Sequence, residues 1–366
     1  INWIVLILLA LGAIAAILAP WLVQTLYAEF SPPQTALTIE LLRWMLIAMV
    51  LFGVSGVVMG ILNAQQHFLL PALAPAIYNL AIIFGAWFLG PVWGVRGLAV
   101  GVVLGAAGHL LVQIPGLIWG PRRMHYRPVL TAYDRSLQEV GRLMAPRVVG
   151  LAAVQVNFLV TAILASTLIA GSLTALNYGW IIMLLPQGII AQSVATALFP
   201  TLATLAARGE RVEMRRVFGA TLRSLLFFTL PAAAGLVILA EPIVRMLLER
   251  GAFTATSTRA TAWALAFFSL GLVGHAIVEI TARAFYALKN TLTPVVIGIL
   301  TMVVNVILSV LFLNLFESWG WVQLGGLALA NSMAVTLEMA VLIILLRRAM
   351  GGLGAPGLSR SVVKIS

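Results

Sequence analysis

The sequence predicts an all-α integral membrane protein of about ten transmembrane helices, arranged as two parallel-repeat helical lobes: a six-span lobe plus four spans of a truncated six-span lobe. Composition is the first ground. The 366 residues are 62% hydrophobic and only 9% charged, with mean hydropathy +1.07. A soluble domain carries roughly 25% charged residues because its surface faces water. Here lipid must be the solvent for much of the chain. The second ground is a set of long apolar segments, and the third is an internal repeat.

A spanning helix needs about 20 mostly apolar residues. Ten segments meet that requirement: 2–28, 37–61, 69–90, 95–119, 140–169, 173–205, 217–240, 258–285, 292–315 and 323–346. Short polar or Gly/Pro-rich links join them, such as Ser31-Pro32-Pro33-Gln34 and the stretch from Ala207 to Arg216. Because backbone groups in lipid need internal partners, helices are the expected form. The alternation over about 10-residue segments that marks a membrane barrel is not evident.

Basic residues set the orientation. With the first span running outward, the inner links hold Arg122, Arg123, Arg127 and Arg135, then Arg208, Arg211, Arg215 and Arg216, then Arg283 and Lys289. The tail adds Arg347, Arg348, Arg360 and Lys364 on the same side, against only Arg96, Arg245, Arg250 and Arg259 outside. Lysine and arginine concentrate in cytoplasmic loops, so both ends of this chain are expected to be cytoplasmic. The net charge of +11 follows from that bias and does not require a nucleic-acid partner.

The repeat pairs the first four spans with the last four. Ile17-Leu18-Ala19, Leu22-Val23 and Leu26 return as Ile238-Leu239-Ala240, Ile243-Val244 and Leu247, at an offset of 221. Ala64 and Pro71 return as Ala287 and Pro294 at 223, and Gly97-Leu98-Ala99 as Gly326-Leu327-Ala328 at 229. The expected domains are an N-terminal lobe at 1–136, a six-helix lobe at 137–349 and a tail at 350–366. On this arithmetic two spans, roughly 80 residues, are expected to precede Ile1. Six spans is an even number, so the lobes share orientation, which is the parallel-repeat transporter plan.

Polar side chains inside spans are the candidates for function, because lipid makes them costly. Arg147, after Pro146, reads either as a cation lining a central cavity, gripping phosphate with two parallel bonds, or as an interfacial arginine reaching the head groups. Gln155, Asn157, Asn177, Tyr178 and Gln187 lie on two adjacent spans with Gln192. Their readings are a polar substrate-binding wall or interhelical hydrogen bonding. Glu279 is a coupling candidate, although Arg283 four residues on offers it an ion pair; Glu338 is a second buried acid. Prolines 71, 75, 186, 200 and 294 interrupt spans, and Pro186 with Gly188 is the expected flexing point. His67, His109, His125 and His275 show no ligand spacing and cysteine is absent, so no metal site and no cofactor are expected. No phosphate-cradling glycine loop, zinc helix or nucleophile elbow appears, so no enzyme is expected either.

Four stretches carry a family resemblance. They are Gly60-Ile61-Leu62-Asn63-Ala64-Gln65-Gln66-His67-Phe68-Leu69-Leu70-Pro71-Ala72-Leu73-Ala74-Pro75 running on to Asn79; Met144-Ala145-Pro146 with Gln155 and Asn157; Arg250-Gly251-Ala252-Phe253; and Ala284-Phe285-Tyr286-Ala287 with Thr291 and Thr293-Pro294. Together they resemble the MurJ (MviN) family of lipid II flippases, of the superfamily that includes multidrug exporters of the MATE type and polysaccharide flippases. The resemblance implies fourteen spans, of which the first two and last two are missing here. It also implies a task in peptidoglycan synthesis at the bacterial inner membrane: moving undecaprenyl-diphosphate-linked precursor between leaflets by alternating access, with that precursor and membrane lipids as partners.

Departures from the family pattern are explicit. Its essential arginines lie on two spans that this chain lacks. A further cavity arginine is expected after the tyrosine of Asn177-Tyr178-Gly179-Trp180-Ile181, where Ile181 stands. Members that bind sodium use carboxylates on the spans matching 140–169 and 292–315, and neither contains Asp or Glu here. A MATE-like exporter of drugs or of another polyprenyl-linked glycan, and a non-transporting membrane scaffold, are the alternatives.

Overall fold

The computed structural model describes residues 2–65, 67–118, 148, 152 and 155–352. Arg147, most of the first half of the fifth expected span, the basic link at 122–135 and the tail beyond 352 lie outside the described residues. Every regular element among the described residues is helical. The chain divides into two compact units, Ile1–Arg142 and Leu143–Ser366.

The first unit contains α1 (Asn2–Leu26), α2 (Pro32–Ala64), α3 (Leu69–Phe84) and α4 (Val95–Leu111). α2 starts where prolines occupy its first turn, needing no amide hydrogen there, and Gln34 Oε1 accepts the Ser31 backbone N–H at 2.9 Å. α3 runs on through a π-turn, Gly85–Leu89, and one further turn, Gly90–Trp93. The reason for glycine at its start is space. A Cβ on Gly85 would lie 2.6 Å from Gly101 Cα on α4, so the two backbones touch there as small-residue membrane contacts do. α1 leaves Leu6, Ile7, Leu9, Leu11, Ile14 and Ile17 exposed. Water would not tolerate such a surface on a soluble chain; lipid does.

The second unit holds α5 (Gln155–Ser166), α6 (Ser172–Pro186) and α7 (Ser193–Ala207), then α8 (Arg211–Ile238) and α9 (Ala240–Leu248). α10 (Ala255–Leu270), α11 (Leu272–Ala287), α12 (Leu292–Ser318) and α13 (Leu324–Met350) complete it. α6 and α7 form one span, Ser172–Ala207, through a π-turn at Gln187–Gln192 directly after Pro186. Proline removes an amide donor, and the wider turn accommodates the carbonyl left over. One apolar core packs α7, α8, α11 and the end of α13 around Phe218 and Phe285, and another packs α6, α10 and the start of α13 around Leu265.

Among the described residues, eight helices are long and apolar enough to span a membrane, and nine if α10 and α11 count as one broken span. These nine overlie nine of the ten expected segments. Two details differ. The expected single span at 258–285 is two helices bent by 45° at Gly271. The link after 240 contains α9, which buries Ala240 and Val244 and sets Glu241, Arg245 and Glu249 in an ion-paired row on its other side.

Candidate functional site: a polar cavity in the second unit

Helices α5, α6, α11, α12 and α13 frame a cavity of about 450 Å³. Asn157 of α5, Trp180 of α6, His275 of α11, Asn305 of α12, and Asn331 and Glu338 of α13 bring its polar groups together. A second chamber of about 250 Å³ shares Asn157, Trp180, Asn305 and Asn331 and adds Asn177.

Its geometry is fixed by rings and amides. Trp180 meets Phe158, Phe268 and His275 edge-on, at centroid separations of 6.2, 5.3 and 5.4 Å. His275 Nε2 lies 3.2 Å from Asn331 Oδ1, so in the tautomer with a proton on Nε2 the imidazole donates to the amide oxygen. Asn157 Oδ1 is buried and unpartnered among the described residues. Glu338 has no hydrogen bond or ion pair among the described residues, and a Cβ on Gly298 would sit 3.6 Å from its Oε1. No arginine or lysine is among the cavity's lining residues.

The candidates named from sequence are therefore dispersed, in place of the single polar wall expected. Asn157 and Asn177 face the cavity system; Gln155 is exposed on α5. Tyr178 lies one position, about 100° of helix, from Asn177 and faces a different cavity, edge-on to Phe253 at 5.9 Å. Gln187, Pro186 and Gly188 sit at the π-turn, with Gln187 Oε1 buried and unpartnered among the described residues. Glu279 is held by Arg283 at 2.9 Å and does not line the cavity. Sequence reasoning passed over His275 as a scattered histidine and did not single out Asn305 or Asn331. Amides within strongly apolar spans were the available sign.

Chemically, the cavity offers amide and hydroxyl dipoles, one imidazole and one carboxylate within an apolar wall. Among the described residues no three of His, Cys, Asp and Glu cluster as metal ligands. The α5 and α12 side of the cavity supplies Asn157 and Asn305, with no carboxylate of those two helices among its lining residues.

Long, apolar, outward-facing helices packed around a polar cavity define a multi-span membrane protein. The comparisons agree: the structure matches an inward-facing multidrug resistance MATE transporter with TM-score 0.76 at 17% identity, over 95% of this chain and 79% of that one, a likeness of fold. It matches "Lipid II flippase MurJ, inward closed conformation" with TM-score 0.81 at 28% identity, over 99% of this chain and 72% of that one. The profile of the family described as "Lipid II flippase MurJ" matches residues 1–366, and the chain belongs to that family. "Probable lipid II flippase MurJ" of Bdellovibrio bacteriovorus is 32% identical over 311 residues, 84% of this chain and 57% of that protein. The protein of the same description from Vibrio cholerae is 31% identical over 285 residues, 77% of this chain and 53% of that protein. The chain thus spans about half the length of the curated relatives it matches. The family is one of flippases, not of enzymes.

Proposed function

We propose that this chain is part of a flippase that carries lipid II from the inner to the outer leaflet of the bacterial inner membrane by alternating access. The observation that carries this reading is the family match across residues 1–366. The physical plan suits it. A polar sugar and diphosphate need a hydrated path, while the polyprenyl tail can stay in lipid, and parallel-repeat lobes rocking about a midplane site provide such a path. In this reading the lobes are 1–136 and 137–349, both ends of the chain are cytoplasmic, and no catalytic step occurs. Arg147 supplies a cation for the diphosphate.

The cavity around His275 and Glu338 has another part. At about 450 Å³ and without an arginine or lysine in its lining, it does not suit an anionic glycolipid head. It suits water with a proton or small cation, so Glu338, more than the ion-paired Glu279, is where a coupling charge would reside. Asn157 and Asn177 then serve that inner site instead of the cargo.

The test uses the full reading frame. Native mass spectrometry with added lipid II should show retention above a neutral lipid, weakened by Arg147→Ala. The same gene should support growth when a host's own flippase is depleted. Absence of both lipid II preference and rescue would overturn the reading. Binding unaffected by Arg147→Ala would remove that residue from the site while leaving the function standing.

A further inference from the structure

A separate site lies at the opposite end of α10 from the Gly271 bend. There the start of α6, the turn after α9, the start of α10 and the turn before α13 enclose about 780 Å³. Arg250 and Arg259 line it, with no carboxylate among its lining residues, and hydroxyls of Ser172, Thr256, Ser257 and Thr261 join them. Thr261 is 0% exposed, yet its Oγ1 has no hydrogen-bond partner among the described residues. A helix threonine ordinarily returns its hydroxyl to a carbonyl of the preceding turn; this one does not. Arg259 makes no ion pair or hydrogen bond among the described residues, and Arg250 spends one Nη2 contact on Leu247 O at 2.6 Å.

The site continues into an apolar groove. Arg259 and Trp263 line both, and the groove runs on past Ala266 to Leu270. Those four positions are spaced four, three and four apart, so they share one face of α10. Eleven residues of helix rise about 16 Å, close to one leaflet of a ~30 Å hydrocarbon core. Glu241 is the acid in the groove, and Arg245 already neutralises it at 2.7 Å. Trp263 donates through Nε1 to Val322 O at 3.2 Å and packs edge-on against Trp321, itself 5.3 Å from Trp319. Clustered tryptophans at helix ends mark a membrane–water boundary. A cationic, hydroxyl-lined chamber therefore sits at head-group level, above an apolar track at acyl-chain level.

We infer that this end of the second unit binds a lipid with a net anionic phosphate head, its phosphate between Arg250 and Arg259 and its chain along the Trp263–Ala266–Leu270 face. Guanidinium pairs suit phosphate oxygens, and hydroxyls of Ser172, Thr256 and Ser257 line the same chamber. On the charge reading of orientation this lipid belongs to the outer leaflet. The site does not depend on the identity of the cargo.

The full-length protein, stripped of lipid in detergent, is titrated with phosphatidylglycerol, undecaprenyl phosphate and phosphatidylcholine of matched chain length, with retention read by native mass spectrometry. The anionic lipids should be retained over phosphatidylcholine, and Arg259→Gln should weaken them about tenfold, the loss of a charge-assisted hydrogen bond. Ala266→Phe, which fills the groove without touching charge, should weaken the same lipids, whereas Arg216→Gln should not. Undecaprenyl phosphate above phosphatidylglycerol identifies a polyprenyl carrier as the occupant; equal retention identifies bulk anionic phospholipid. Retention of phosphatidylcholine equal to that of the anionic lipids, or anionic retention unchanged in both Arg259→Gln and Ala266→Phe, would overturn the inference.

Discussion

Gly271→Ala probes how the second unit holds its bend. Gly271 has φ −83°, a conformation open to any residue, so space and not backbone freedom requires the glycine. Its N–H donates to Phe268 O at 3.0 Å, one residue short of the regular α-helical partner, which leaves Phe267 O without its helical donor. The Ser332 hydroxyl on α13 donates there at 2.6 Å and also lies 3.2 Å from Phe268 O. A Cβ on Gly271 would fall 2.7 Å from that hydroxyl and 2.9 Å from Ser332 Cα, a backbone atom that moves only if α13 moves. Overpacking of this kind costs about 1–3 kcal/mol. Displacing the hydroxyl adds an interhelical hydrogen bond, about 0.6–1.7 kcal/mol in membrane proteins. Gly271→Ala should therefore destabilise by about 2–4 kcal/mol and Ser332→Ala by about 1 kcal/mol. The double substitution should fall short of the sum by about the hydroxyl's share, because both singles lose the same bond. The assay is thermal unfolding of the purified protein in detergent micelles, where 1 kcal/mol shifts Tm by roughly 2–4 °C for a unit of this size. Gly235→Ala is the control: a Cβ there meets nothing within 4 Å, so this mid-helix change should stabilise by a few tenths of a kcal/mol or more. If Gly271→Ala melts alongside Gly235→Ala, the close contact with α13 does not hold the bend and the reasoning is wrong.

Three further outcomes follow from the same geometry. Ser55 Oγ lies 2.7 Å from His109 Nδ1 and accepts from Gln113 Nε2 at 2.7 Å, a buried tie between α2 and α4, so Ser55→Ala should lower stability by about 1 kcal/mol in a chemical denaturation series; no change would remove the tie from the account. Gly101→Leu should abolish well-folded protein in size-exclusion chromatography, since even a Cβ there would lie 2.8 Å from Gly85 Cα, whereas Gly60→Leu, with open space around it, should elute as the parent does. Glu338→Gln should leave folding intact, because no partner of Glu338 among the described residues is lost, yet reduce rescue of a flippase-depleted strain by tenfold or more; normal rescue would take the coupling role away from Glu338.

Composition made the spans legible, because only lipid tolerates chains such as α1, and the hydropathy of each segment reports the length that lipid must cover. The bend at Gly271 was not legible. It sits in an apolar run where glycine is common, and the residue packed against it, Ser332, lies more than sixty residues later. The cavity was partly legible for a related reason. Asn157 and Asn177 stand out as amides in apolar helices, but their convergence with His275, Asn305 and Asn331 depends on where five helices cross. Tyr178 and Gln155 show the limit of composition: polarity within a span does not specify the face, and neighbouring positions on a helix point to different cavities.

The internal repeat gives the asymmetry between the units a cause. Its landmarks close the same elements in each. α2 ends at Ala64 and α11 at Ala287, and Pro71 and Pro294 are each the third residue of the next helix. Gly97 and Gly326 each lie near the start of the last described span of their unit, where a Cβ would strike the backbone of Leu89 or of Phe312 in the preceding span. Against those landmarks, α2 runs unbroken for 33 residues, whereas its counterpart is α10 and α11, bent at Gly271. At the 223 offset Gly271 corresponds to Ala48, a buried methyl in the straight helix. His275 corresponds at the same offset to Phe52, which packs edge-on against Tyr78 and His109. Asn331 corresponds at the 229 offset to Val102. The first unit thus places apolar side chains where the second places its imidazole and amide. In the proposed reading, a coupling charge, which needs polar partners to be tolerated inside lipid, belongs to the polar cavity of the second unit.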